Sequence, residues 1–240
     1  MPSAEEILSF YSNGYHDNFN QSSMASVSFA QSRYRELESL LSVYSPRIAN
    51  QRVRSLLDIG CGTGDFLKAA QDSGWNITGT EFSSEAVRHA SHQTGCHIVL
   101  GDISTLDLQE SSYDLVTSYH VIEHLATPIE QLNRCYQLVS SEGALFIETP
   151  NIDSLGARLR GANWSHIIPP EHLIYFSPKS LEFALREAGF KRVVVLTSAP
   201  QVIESIEDWP NPLKRLAAAV YSISPMLRMG AALQAIAFKS

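Results

Sequence analysis

Three glycines at alternate positions, Gly60, Gly62 and Gly64, close the apolar run Ser55-Leu56-Leu57-Asp58-Ile59, and a helical pattern follows from Asp65. Glycine admits positive φ and lets a ligand lie directly on the main chain, so this strand–loop–helix is a candidate nucleotide cradle. The spacing is GxGxG. A dinucleotide loop has GxGxxG to seat a pyrophosphate on the helix N-terminus, and a phosphate-binding P-loop ends in Gly-Lys-Ser/Thr. The loop therefore suits a nucleoside without a pyrophosphate. About twenty residues beyond the glycines comes Glu81, followed by Phe82, where an α/β nucleotide fold places an acid on the ribose diol. Asp102, after the next apolar run, can accept from an adenine amino group while Ile103 packs on the ring. Each acid also has an ordinary reading, Glu81 as a solvated strand end and Asp102 as a turn cap.

Two histidine clusters are candidates for proton transfer. The first, His120-Val121-Ile122-Glu123-His124, follows the fourth apolar run at the start of a helix, where His120 and His124 fall one turn apart and can share a face. An i,i+4 histidine pair also suits a metal, as in HExxH, but the order here differs and no third ligand is evident, so no metal is expected. The second cluster is Trp164-Ser165-His166-Ile167-Ile168-Pro169-Pro170-Glu171-His172-Leu173-Ile174-Tyr175. Its two prolines stiffen a loop after the fifth apolar run, and His172 is the first choice for a base, against the alternative that it orders the loop. Trp164, Tyr175 and Tyr15 can line an apolar acceptor pocket or be core.

The elements that must position these groups are legible as alternating runs. Strands are expected at Val53–Ile59, Asn76–Thr80, His97–Leu100, Tyr113–Ser118, Ala144–Glu148, Arg192–Thr197 and Leu233–Phe238. Between several of them lie helical stripes, such as Ile129, Leu132, Cys135, Tyr136 and Val139. The best punctuated helix has Ser177 as its cap, Pro178 in its first turn and Gly189 at its end. This alternation implies βαβ units, a largely parallel sheet with helices on both faces. Residues 1–50, with a helix near Gln31–Tyr44, and residues 200–230, rich in proline, break the pattern.

Composition removes several function classes. The 18 Lys+Arg against 25 Asp+Glu give a formal charge of −7, which argues against a nucleic-acid surface. Three scattered cysteines, Cys61, Cys96 and Cys135, with no CxxC, indicate neither a disulfide framework nor zinc. Acids stand at the start of the chain where a signal peptide carries Lys or Arg, and no apolar stretch is long enough to span a bilayer, so a cytoplasmic protein is expected. The segment 212–230 mixes apolar residues with Lys214, Arg215 and Arg228; it can touch a membrane surface peripherally or pack on the domain or on a second subunit.

LLDIGCGTG, the following Glu81, the Gly101-Asp102-Ile103 step and YDLVTSYHVIEHL together resemble class I S-adenosylmethionine (SAM)-dependent methyltransferases. The likeness is to the type 11/12/23 subgroup and is similar to ubiquinone-biosynthesis O-methyltransferases; PPEHLIYFSPKSL resembles type 23 members. It covers residues 53–150 closely and the rest more loosely. The resemblance implies a Rossmann-like, seven-stranded, mostly parallel sheet with the last strand antiparallel. It implies SAM as cofactor and S-adenosylhomocysteine as product. Gly60, Gly62 and Gly64 would line the methionine and ribose, Glu81 the ribose, and Asp102 with Ile103 the adenine. Ser118 and Tyr119 would lie near the methyl, Asp58 would order the loop, and Arg33 or Arg35 would meet the SAM carboxylate. A Glu-His pair such as Glu123-His124 is common in these families, with a structural role as open as a catalytic one.

Residues 1–50 would form a helical lid with Tyr11, Tyr15 and Phe19, and residues 51–240 the cofactor-binding domain, with an inserted helical segment near 200–230. The expected activity is methyl transfer to a small-molecule acceptor, most readily at oxygen, by a monomer or homodimer. An NAD-dependent oxidoreductase and a non-catalytic SAM-binding protein are the alternatives.

Overall fold

In the computed structural model, residues 24–198, 219 and 222–239 are described. They form seven strands: β1 (Arg54–Ile59), β2 (Trp75–Glu81), β3 (Ile98–Leu100), β4 (Tyr113–Tyr119), β5 (Val139–Pro150), β6 (Arg192–Ser198) and β7 (Ala232–Phe238). Their order across one sheet is β3-β2-β1-β4-β5-β7-β6, and β7 runs antiparallel to both neighbours while the other pairs are parallel. This is the seven-stranded sheet expected from the sequence.

Central strands are apolar on both sides because both faces are covered. Side chains alternate along a strand. Thus Leu56, Leu115 and Phe146 enter one core layer, while their neighbours Leu57, Val116, Leu145 and Ile147 enter the other. Helices α1 (Met24–Tyr44), α2 (Pro46–Asn50), α3 (Asp65–Asp72) and α4 (Ser84–Thr94) serve the first layer. Helices α5 (Pro128–Leu138) and α7 (Pro178–Glu187) serve the second, and the short α6 (Leu155–Arg160) follows β5. Ser177 caps α7 in a reciprocal capping box with Ser180, and Gly189 follows its end at φ 104°.

Several local expectations shift. The first helix is longer than Gln31–Tyr44, and Tyr34, Leu37 and Leu41 are buried in the core beside Phe66, Leu67 and Trp75. The indole Nε1–H of Trp75 donates to Tyr34 Oη and Glu38 Oε1, both at 3.1 Å, and Arg54 pairs with Glu38 at 2.8 Å while lying over the indole. The helical part of the expected lid is thus built into the domain. Tyr11, Tyr15 and Phe19 lie outside the described residues. On α5 the buried stripe is Gln131, Leu132, Cys135 and Leu138; Ile129 is exposed and Val139 already opens β5, because the helix ends one residue before it. The helix expected at His120 does not start there. A single 3-10 turn, Ile122–His124, is followed by an extended Leu125, and α5 begins only at Pro128.

Most of the 212–230 segment, including Lys214 and Arg215, lies outside the described residues; within its described end Ile223, Met226 and Leu227 are exposed. No helix among the described residues is long and apolar enough to cross a membrane.

Leu37 is 1% exposed at the interface between α1 and the sheet. Leu37→Ala should lower unfolding stability by about 2–5 kcal/mol in urea titrations. An unchanged midpoint would mean that α1 is an appendage.

Candidate functional site

The strand order reverses direction between β1 and β4, and in an open α/β sheet ligands bind in the crevice beyond the strand C-termini at such a point. The glycine loop leaves β1 there, and residues 120–124 leave β4 beside it. All three glycines have positive φ. A Cβ on Gly64, at φ 85° and capping α3, would lie 2.9 Å from Ala90 Cβ, so the close approach of α4 requires glycine. At Gly62 the same atom would meet nothing within 4 Å. The main chain there faces open space, as a ligand cradle must.

Glu81 is 6% exposed, and its carboxylate holds the loop: Oε2 accepts from Gly62 N–H at 2.9 Å, and Oε1 from Phe82 and Ser83 N–H at 2.7 and 2.9 Å. The adjoining shallow cleft is lined by Gly60, Glu81, Phe82, Asp102, Ile103, Val121 and Gln131 among others. Its lining mixes the carboxylates of Glu81 and Asp102 with the apolar side chains of Phe82, Ile103 and Val121. Asp102 Oδ1 also accepts from Ser104 N–H at 2.9 Å, so it caps a turn while lining the cleft. Asp58 is buried below and accepts from Thr117 Oγ1–H at 2.7 Å; burial raises its pKa to about 7 against that hydrogen bond. Ser118 is buried in β4, paired in register with Ile59 and Ile147.

Beyond Tyr119 the site carries a charge network. The Tyr119 ring packs between Phe66 and Phe146, with the Arg33 guanidinium 4.9 Å from its centroid. Arg33 Nη2 pairs with Glu148 Oε1 at 2.9 Å, and neither Arg33 Nε nor Tyr119 Oη has a hydrogen-bond partner among the described residues. Arg35, by contrast, is exposed and donates from Nε to the Gln31 carbonyl of its own helix, so Arg33 is the arginine aimed inward. His120 bridges Glu123 (Nδ1 to Oε1, 3.0 Å) and Glu148 (Nε2 to Oε1, 3.4 Å) from a left-handed backbone, φ 54°. Burial opposes its charge, but the two carboxylates outweigh that and lift its pKa to about 9. Burial also opposes the charge of Glu148, yet His120 and Arg33 hold its pKa at about 2. His120 is therefore a cation at neutral pH, not a base.

His124 closes the same 3-10 turn, and its imidazole bonds to the loop that bears His172 whereas that of His120 bonds to Glu123 and Glu148. The loop bearing His172 is stapled onto it: Leu173 and Ile174 N–H donate to the Glu123 carbonyl at 2.8 and 3.1 Å. Nδ1–H of His124 donates to the Glu171 carbonyl, and Nδ1–H of His172 to the His166 carbonyl, both at 2.8 Å. The ring centroids of His124 and His172 are 4.8 Å apart. Burial, then the neighbouring His124, lowers the pKa of His172 and keeps it neutral. Tyr175 packs edge-on to His172, and Trp164 lies beside it, stacked on His166.

Two site residues went unnoticed in the sequence. Glu148 had a signal, a carboxylate closing the apolar run Ala144–Ile147; Gln131 had none, since a glutamine early in a helix reads as surface.

The pKa lift of His120 makes its contribution to stability complete below the ordinary histidine value and lost as pH rises through about 9. NMR titration should give a midpoint near 9 for His120. A midpoint of 6 to 7 would dismantle the bridge between the two glutamates.

Residues 29–195 match the family described as "Methyltransferase domain" (Methyltransf_23). An uncharacterized 37.1 kDa protein in transposon TN4556 of Streptomyces fradiae is 35% identical over 109 residues, 42% of this chain and 31% of that one. The ubiquinone biosynthesis O-methyltransferase of Nitrosospira multiformis is 27% identical over 166 residues, 64% of this chain and 70% of that one. Against the first of these relatives the chain spans under a third of the length. Among solved structures, a SAM-dependent methyltransferase from Archaeoglobus fulgidus matches with TM-score 0.61 at 24% identity, covering 86% of this chain and 94% of its own. A possible histamine N-methyltransferase from Thermotoga maritima matches with TM-score 0.64 at 17% identity, covering 98% of each. These structures share the fold. The family match takes in the glycine loop, Glu81 and both histidine clusters, and the chain accordingly belongs to the methyltransferase-domain family.

Proposed function

We propose that this methyltransferase acts on an oxygen of a small-molecule acceptor seated on the rim formed by His124, His172, Trp164 and Tyr175. The observation that carries this reading is the neutral His172, whose Nδ1–H is engaged by a main-chain carbonyl so that Nε2 carries the lone pair. A hydroxyl acceptor must lose a proton, and an oriented neutral imidazole is suited to receive it. SAM supplies a methyl carbon on a sulfonium, which leaves with both electrons of the carbon–sulfur bond as S-adenosylhomocysteine.

The chain's own groups divide the remaining work. The main chain at Gly60, Gly62 and Gly64 would cradle the cofactor, Glu81 would face its ribose, and Asp102, Ile103 and Gln131 would frame the adenine. Arg33, with Nε lacking a partner among the described residues, would meet the carboxylate, and Ser118 and Tyr119 would border the methyl. His120 and Glu123 act as positioning residues for the turn that holds His124. The names of the O-methyltransferase relatives are consistent with oxygen as acceptor atom.

Gly62→Arg projects a long side chain into the open space over the loop, and should weaken SAM binding by more than about 100-fold by calorimetry, roughly the 2.7 kcal/mol of two tenfold steps. The thermal midpoint should stay within a few degrees; retained affinity would take the loop out of the cofactor site. His172→Ala should lower kcat by about 10²–10⁴-fold in an acceptor screen with SAM affinity unchanged. In the wild type, kcat/KM should rise through a midpoint below the ordinary histidine range as His172 loses its proton. Full turnover by the variant would place the base elsewhere.

A further inference from the structure

The sequence offers His120 and His124 as a possible ligand pair without a third donor. The fold supplies a different set. Donor atoms of Glu123, His124 and His172 all lie within 4.8 Å of one another, one donor from each. We propose that these three residues form a binding site for a divalent transition-metal ion on the acceptor rim.

The arrangement around the donors is that of a supported ligand set. A metal-ligating histidine usually donates its other ring N–H to a carbonyl or carboxylate, which fixes tautomer and ring orientation. Both imidazoles do so here, through Nδ1 to main-chain carbonyls at 2.8 Å, which directs Nε2 to the ligand role. The carboxylate is fixed as well. Glu123 is 1% exposed, Thr149 Oγ1–H donates to its Oε2 at 2.9 Å, and His120 Nδ1 meets its Oε1 at 3.0 Å. Each carboxylate oxygen has a further lone pair for an ion. The two segments carrying the donors are joined by the Leu173 and Ile174 hydrogen bonds to the Glu123 carbonyl, so the set does not depend on a loose loop.

The donor chemistry selects the ion. Two imidazoles and one carboxylate suit Zn²⁺, Co²⁺ or Fe²⁺, whereas Mg²⁺ and Ca²⁺ prefer oxygen alone. Three protein ligands also leave a position open for a substrate atom, the pattern of a catalytic site. Bonds of about 2.0–2.1 Å hold tetrahedral donors roughly 3.3 Å apart, so loading draws the side chains together by up to about 1.5 Å. In turnover with the ion bound, an acceptor hydroxyl at the open position would be made more acidic and lose its proton to solvent, while the ion-free enzyme would keep His172 as the base. That role rests on the acceptor-rim reading; metal binding itself does not.

The test uses untagged full-length protein, stripped with chelator and titrated with ZnCl₂ and CoCl₂ without acceptor. One equivalent should bind with micromolar or tighter affinity, and Co²⁺ should develop visible d–d bands of a low-symmetry nitrogen–oxygen site. His124→Ala and His172→Ala should each lose at least 100-fold in affinity, while His166→Ala, which keeps its main-chain carbonyl, should bind normally. If an alanine variant folds poorly, Glu123→Gln reads the same loss. Absence of binding to the wild type, or binding that the His124 and His172 variants retain, overturns the site. SAM titration of the same sample separates the two readings: intact SAM affinity without metal removes the ion and leaves the methyltransferase.

Discussion

Two main-chain hydrogen bonds, from Leu173 and Ile174 to the carbonyl of Glu123, hold together what the chain keeps far apart. Together with the His124 bond to the Glu171 carbonyl, they fix the loop after β5 against the turn after β4, and His172 against His124. Because the acceptor of both bonds is the main chain of Glu123, the side chain of that residue is left for other work, gripping His120 and Thr149. One residue thus joins the backbone of one loop to the charges of another. The turn is 3-10, not α-helical, and His124 at its end bonds to the loop through the Glu171 carbonyl.

Behind the turn, Arg33, Glu148, His120 and Glu123 alternate in charge along a nearly buried line. Burying ions is unfavourable unless each is paired and hydrogen-bonded. Here each charge has a neighbour of opposite sign, and Gln234 satisfies the second oxygen of Glu148 at 2.9 Å. An apolar set of equal volume could serve stability as well, so the retention of four charges beside the cofactor cleft is more naturally tied to chemistry than to folding. The left-handed backbone of His120 belongs with this view. A non-glycine residue at φ 54° is strained by about 1–2 kcal/mol, and strain of this kind gathers at functional sites.

The fold was legible because periodicity and glycine report local geometry. Leu56 and Leu57 enter opposite layers as the doubly covered strand requires, and the Ser177 cap is where its side chain says. For the same reason Gly60, Glu81, Asp102 and Ile103, singled out as cofactor candidates, meet at one cleft: each follows or ends a strand on the same sheet edge. The acceptor side was read less well. Helical spacing placed His120 and His124 on a common face, but Pro128 starts the helix later and the intervening turn follows tertiary hydrogen bonds. Which arginine of α1 points inward depends on the rotation of the helix against the sheet, and a pair two residues apart leaves that open. Pairing across loops, as between His124 and His172, has no trace in spacing at all.

Glu81 has a consequence for the cycle of the enzyme. With its carboxylate already bound to the amides of Gly62, Phe82 and Ser83, the nucleoside cradle is shaped before any ligand arrives. Most of the ordering entropy of that loop is then spent during folding and not at each encounter. On the proposed reading, fresh and spent cofactor would exchange over a surface that keeps its form, and the loop would not set the pace of that exchange.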